Sequence, residues 1–139
     1  MSDRPAPTTT LDTKFFWDGL AADRLLIQRC SGCAALRHPP RPMCPHCNSL
    51  AWQPIEACGR GYVHSFVQPR HPAWPWFEDG YIVALIDLEE GIRLVSNLCG
   101  VAPAEVTIGM PVEAFIERFD NGVSLHQFRP RREPAAGTR

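Results

Sequence analysis

The sequence predicts a mainly β fold: a short N-terminal helical segment, a small module tied by a metal ion, then a closed barrel of short strands. Three observations predict it. Cys30-Ser31-Gly32-Cys33 and Cys44-Pro45-His46-Cys47 are two C-x-x-C pairs with ten residues between them. From Ala51 onward, five or six short apolar runs alternate with turn residues, the pattern of a small barrel. Ahead of the cysteines stands one ring-rich amphipathic stretch, Leu11 to Ala22.

The helical segment comes first. Residues 1–10 are polar and rich in Pro and Thr and read as a disordered lead-in. Asp12 or Thr13 can cap the helix that follows by accepting a hydrogen bond from a free backbone N–H. Phe16 and Leu20 are four apart and Trp17 and Leu20 three apart, so they share a face, and Phe15 adds a further ring. Gly19 weakens the helix, so packing must hold it. Phe15, Phe16, Trp17 and Leu20 therefore either cover this chain's own core or dock on a partner, since exposed aromatics favour interfaces.

Residues 25–50 are the metal module. Leu25 to Arg29 reads as a strand entering the first cysteine pair, and residues 34–43 are Pro-rich and irregular. Zinc takes soft ligands in a tetrahedron, and Cys30, Cys33, Cys44 and Cys47 supply four thiolates. A zinc saturated in this way has no open position for water and is structural. Iron is chemically acceptable at the same S4 site. A redox pair needs one C-x-x-C at a helix start, not two in Pro-rich surroundings. Of the remaining cysteines, Cys99 ends an apolar strand and reads as a core thiol, while Cys58 sits in a turn with no oriented His beside it.

Residues 51–130 are the barrel. Ala51–Glu56, Gly61–Gln68, Tyr81–Leu88, Ile92–Leu98, Pro111–Phe119 and Ser124–Phe128 read as strands. Glu89-Glu90-Gly91 and Asp120-Asn121-Gly122 are hairpin turns, and Pro103 to Val106 is a helical turn with Pro in its first position. His64 and Ser65, as strand neighbours, should face opposite sides. Pro69 to Gly80 is a long loop carrying Arg70, His71, Trp74, Trp76 and Phe77. Loops of that length tend to be functional. Its rings and cations either stack on an adenine or pantetheine arm and face its phosphates, or cover one end of the barrel. Residues 131–139 read as a disordered tail.

Bulk properties exclude some functions. The net charge is −1 and Lys14 is the only lysine, so a basic nucleic-acid footprint is missing. No apolar run reaches the ~20 residues that cross a bilayer, and Met1 to Thr10 holds no apolar stretch like that of a secretory signal. The expectation is a cytoplasmic protein with reduced thiols.

The order of motifs resembles the DUF35 family. The residues that carry the likeness begin with Phe16-Trp17-Asp18-Gly19-Leu20 and Leu26-Ile27-Gln28-Arg29-Cys30-Ser31-Gly32-Cys33. Pro39-Pro40-Arg41-Pro42-Met43-Cys44-Pro45-His46-Cys47 and Gly59-Arg60-Gly61-Tyr62-Val63-His64-Ser65-Phe66 follow, and Gly109-Met110-Pro111-Val112 and Phe128-Arg129-Pro130 close it. The resemblance covers nearly the whole chain from about Phe15 to Pro130. It implies a rubredoxin-like zinc ribbon with structural Zn2+ and a C-terminal OB-fold barrel, with Gly61, Ser65 and Phe66 shaping the barrel. It also implies a non-catalytic subunit of a hetero-oligomer. The partner would be a thiolase or a thiolase-like aldolase acting on acyl-CoA, steroid side chains among its substrates. The barrel would form part of the CoA-thioester channel. The alternative is a single-stranded nucleic-acid module, because zinc ribbons and OB folds elsewhere bind single strands.

Overall fold

The computed structural model describes residues 4–131, so most of the expected tail lies outside the described residues. The helix α1 is Lys14–Ala21, shorter than expected. Its start is delayed by a reciprocal turn. The Thr10 N–H donates to Thr13 Oγ1 at 3.0 Å and the Thr13 N–H donates to Thr10 Oγ1 at 3.2 Å. Thr13 stands at the cap position, but its side chain looks back to Thr10 and caps nothing. Gly19 has a packing reason: a Cβ there would lie 2.8 Å from Leu26 Cδ1 and 3.0 Å from the Arg24 carbonyl oxygen.

β1 (Leu26–Cys30) is the middle of a three-stranded antiparallel sheet, ordered β2-β1-β3. β2 (Leu36–Arg37) lies in the stretch expected to be irregular. β3 (Trp52–Glu56), placed by the sequence at the start of the barrel, pairs with β1 instead, Leu26 facing Glu56 and Cys30 facing Trp52. Pro54 explains this allegiance. A residue with no N–H is tolerated in the middle of an edge strand, which β3 is, whereas the prolines of the closed barrel, Pro111 and Pro130, stand only at strand ends.

The barrel contains β4 (Arg60–Val67), β5 (Ile82–Leu88), β6 (Arg93–Leu98), β7 (Pro111–Arg118) and β8 (Ser124–Pro130). Its closed order is β4-β5-β6-β8-β7. Neighbours are antiparallel except β6 and β8, which run parallel where Leu98 faces Phe128. A five-stranded barrel closed through one parallel contact is OB-type. β5 shows the alternation that closure demands, with Ile82, Ala84, Ile86 and Leu88 buried and the residues between them half-buried. The tight approach of β4 to β5 requires Gly61, where a Cβ would sit 2.6 Å from the Asp87 carbonyl oxygen. The expected opposition of His64 and Ser65 fails: a bulge between Val63 and Ser65 shifts the register, and both side chains are exposed. Ser65 therefore adds nothing to the core, whereas Phe66 packs against it.

One apolar core joins the modules. Phe16, Leu20, Leu25 and Ile27 belong to the same buried cluster as Val63, Ile82, Ile86, Leu94, Val112 and Phe128. The helix is thus the wedge between ribbon and barrel. No helix among the described residues is long and apolar enough to cross a membrane.

Candidate metal centre and interaction surfaces

Each cysteine pair is a backbone knuckle, and the two are near copies. In the first, the Ala34 N–H donates to the Cys30 carbonyl at 3.0 Å. In the second, the Asn48 N–H donates to the Cys44 carbonyl at 2.9 Å. Ala34 and Asn48 both turn through positive φ, +67° and +63°, directly after the second cysteine of their pair. The Gly32 N–H points at Cys30 Sγ at 3.3 Å. These turns aim four sulfurs at one point.

All four ligand atoms lie within 4.8 Å of one another. The Cys30–Cys47 and Cys33–Cys44 sulfur separations are 3.5 and 3.6 Å. A tetrahedron with Zn–S bonds of about 2.3 Å has an S···S edge of about 3.8 Å, so the cage has the size of a zinc tetrathiolate. The four thiols do not ionise independently: against the Ser49 N–H, which lowers it, crowding by Cys30, Cys33 and Cys44 pushes Cys47 up to about 11, while backbone donors lower two of the others. The backbone N–H of Cys33, then that of Gly32, holds the Cys30 thiol down to about 6. The N–H of Cys47 likewise lowers Cys44. Anionic sulfurs packed this closely need a positive centre between them. Cys30 and Cys44 are buried and Cys33 and Cys47 exposed, so the metal would sit at the edge of the ribbon.

The helix aromatics are mostly internal. Phe16 is 4% exposed and Leu20 is fully buried, so these two side chains take the first of the two expected roles and cover the chain's own core. Phe15 instead tilts onto Trp52 of β3 with ring centroids 4.6 Å apart. Phe16 meets Trp17 edge-on at 5.0 Å and touches the rings of His38 at 5.4 Å and His126 at 5.3 Å. Phe15 and Trp17 are both half-buried, keeping some surface while packing against that cluster.

The long loop folds into two ring pairs. Trp74 and Trp76 stack at 5.2 Å with planes 14° apart, and Phe77 stacks on Tyr81 at 4.3 Å. The Arg4 guanidinium also lies over Phe77, 4.2 Å from its centroid. Arg70, Trp74 and Phe77 line a pocket of about 330 Å³ with Gln68, Asp79 and Tyr81. His71 and Trp76 lie outside that lining, and His71 is exposed. Phe77 is already engaged by Tyr81 and Arg4, so the Trp74–Trp76 pair is the ring surface presented outward. Sequence reasoning missed Tyr81 and Arg4; no local signal ties Arg4 to a loop seventy residues away.

The remaining thiols are not activated. Burial pushes Cys58 up, and its S–H donates to Glu89 Oε1 at 3.7 Å. Burial pushes Cys99 up as well, and it is half-buried rather than a core thiol. A raised thiol is a poor nucleophile near neutral pH.

A metal-braced ribbon wedged by a helix onto a closed OB barrel defines a two-module scaffold, with its zinc site structural. Residues 17–53 match the family described as ChsH2, rubredoxin-like zinc ribbon domain, and residues 54–117 that described as ChsH2, C-terminal OB-fold domain. The chain belongs to the DUF35 family. It is 33% identical over 112 residues to a DUF35 domain-containing scaffold protein of Methanocaldococcus jannaschii, covering 76% of this chain and 79% of that protein. It is 47% identical over 127 residues to a probable enoyl-CoA hydratase alpha subunit of Thermomonospora curvata, covering 91% of this chain. It is 41% identical over 124 residues to the 3-oxo-4,17-pregnadiene-20-carboxyl-CoA hydratase alpha subunit of Mycobacterium tuberculosis, covering 89% of this chain. The chain spans only 40% and 39% of the length of those two hydratase subunits. Among solved structures, a chain of an Ltp2-ChsH2(DUF35) aldolase matches with a TM-score of 0.86 and 47% identity, covering 89% of this chain and 98% of that one.

Proposed function

We propose that this chain is a non-catalytic accessory subunit of an acyl-CoA enzyme of thiolase fold, of the thiolase or retro-aldolase kind, and that it forms one wall of the CoA-thioester channel. One observation carries the reading: a DUF35 chain of an aldolase complex is 47% identical and matches over 98% of its length. In this role the zinc, tightly held by Cys30, Cys33, Cys44 and Cys47, braces the ribbon, and the barrel and the Trp74–Trp76 pair meet the partner or its thioester. The catalytic groups belong to the partner. The raised Cys58 and Cys99 thiols support that division. The name of the M. tuberculosis relative makes a steroid-type acyl-CoA the first substrate class to try.

The competing reading, a single-stranded nucleic-acid module, has against it a net charge of −1 and a single lysine. The test is co-expression with a thiolase-like protein encoded beside this chain. The two should co-purify, and this chain should change the partner's turnover and thioester affinity. A partner whose turnover and affinity are the same with and without it removes the basis of the reading.

A further inference from the structure

A cleft of about 560 Å³ separates the ribbon from the β5–β6 hairpin of the barrel. Arg37, His38, Arg41 and Pro45 line it from the ribbon, and Asp87 and Arg93 from the barrel. Arg37 is only 7% exposed. Its Nε donates to the Arg41 carbonyl at 3.1 Å, but Nη1 and Nη2 are buried with no hydrogen-bond partner among the described residues. A guanidinium stays protonated in a protein. Burying it with two donor nitrogens idle is costly unless an anion completes it.

The surroundings are built rather than accidental. Gln28, 1% exposed, clamps the Arg41 backbone from both sides: its Nε2 donates to the Arg41 carbonyl and its Oε1 accepts from the Arg41 N–H, each at 2.8 Å. The Arg41 carbonyl thus receives both Gln28 and Arg37, which fixes the two arginines relative to each other. Opposite them, Arg93 Nε is 2.6 Å from Asp87 Oδ1, and His64 Nδ1 is 3.1 Å from Asp87 Oδ2. Asp87 is the one carboxylate among the lining residues, and both its oxygens are engaged. Burial, then the charge of His126, pushes His38 down to about 4, so it adds no charge at neutral pH. Three arginines facing one occupied carboxylate leave the cleft positive in a chain of net charge −1.

We propose that this cleft binds a phosphate-class oxyanion, the phosphate or pyrophosphate group of a small organic ester, gripped by Arg37 with Arg41 and Arg93 at its rim. Planar, bidentate donors are the usual match for such groups, and the cleft volume leaves room for the rest of an ester. The assignment does not depend on the accessory-subunit reading, because it concerns this chain alone.

The test is calorimetric titration of the zinc-loaded full chain at low salt, with inorganic pyrophosphate and with ADP as separate arms. Saturable binding of ADP, competed by pyrophosphate, is expected. Binding of pyrophosphate without ADP would restrict the site to the free anion and overturn the ester assignment. Arg37→Met should weaken binding about tenfold or more, and Arg41→Ala several-fold. Asp87→Asn should tighten it, because it removes the opposing carboxylate and releases Arg93; a purely structural role would not produce a gain. Arg41 and the Asp87 side chain are exposed enough for those variants to fold even if Arg37→Met does not. No saturable binding at millimolar ligand, equal affinity in the wild type and both Arg41→Ala and Asp87→Asn, or an oligonucleotide that binds here and is not displaced by pyrophosphate would each overturn the proposal.

Discussion

Gly61→Ala sets two physical rules against each other. By intrinsic preference, alanine in place of a strand glycine should stabilise by about 0.5–1 kcal/mol, because glycine loses more backbone freedom on folding. Packing predicts the opposite. The new Cβ would lie 2.6 Å from the Asp87 carbonyl oxygen and 2.9 Å from Ile86 Cγ2. Neither neighbour can yield cheaply. Ile86 is fully buried, and the carbonyl belongs to the β4–β5 ladder, where Gly61 faces Leu88. Relief means parting two strands of a closed barrel, so the upper part of the ~1–3 kcal/mol range for overpacking applies. The net expectation is a loss of about 2 kcal/mol. For a domain of this size that lowers Tm by roughly 6–10 °C, read by far-UV circular dichroism on the zinc-loaded protein. A variant that melts at or above the wild-type temperature would refute the packing argument and the strand approach it rests on.

Zinc removal and acid should each act through a different part of the ribbon. The clean, reduced chain should carry about one equivalent of zinc, and a strong chelator should unfold the ribbon, since tetrathiolate binding free energy is folding free energy. Of the six thiols, the four at the site should become reactive to a thiol reagent only after chelation; their full reactivity in the untreated protein would contradict a metal site. Acid should also destabilise the fold through His38. Its ordinary value is 6.5 and burial holds it near 4, so the neutral ring is favoured in the folded state. That contribution is complete above pH 6.5 and lost as pH falls toward 4. The shift amounts to about 3 kcal/mol in all, about 2 of it between pH 7 and pH 5. Burial lowers His126 too, in the same direction. Denaturant titrations at pH 7 and pH 5 check this. The pH-dependent loss should shrink in His38→Gln, and equal losses in variant and wild type would show that His38 does not titrate as its burial requires.

Features encoded within a few residues were legible in the sequence. The cysteine quartet, the hairpin turns at Gly91 and Gly122, and the alternation of β5 depend on spacing alone, and each has its expected place. Features that depend on pairing across the chain were not. Leu26–Cys30 could meet β3 or a barrel strand equally well by pattern, and only Pro54 hinted that β3 needed an edge. The apolar face of the helix was visible, but not that His38 and His126 would close over Phe16. The bulge at His64 erased a face assignment that strict alternation required. Arg37 gave no signal at all: an arginine in a Pro-rich stretch reads as solvated until the fold slides a barrel hairpin beneath it.

The position of the metal gives the ribbon a reason to exist. The sheet β2-β1-β3 has two short edges and little apolar surface of its own, and a sheet that small is marginal in water. Two constraints hold it: the sulfur cage at one end and the Phe16–Leu20 wedge that fuses it to the barrel core at the other. Between these anchors lies the segment 37–45, which carries Arg37, His38, Arg41 and Pro45 into the cleft. Cys44 is the residue before Pro45 and only three beyond Arg41, so the segment cannot move without moving a metal ligand. A structural zinc placed there does more than stabilise the fold. It removes the freedom of a Pro-rich loop whose side chains form one wall of a recognition surface. The partner or ligand that uses that surface then meets a rigid wall and avoids the ordering cost that a loose loop would impose on binding.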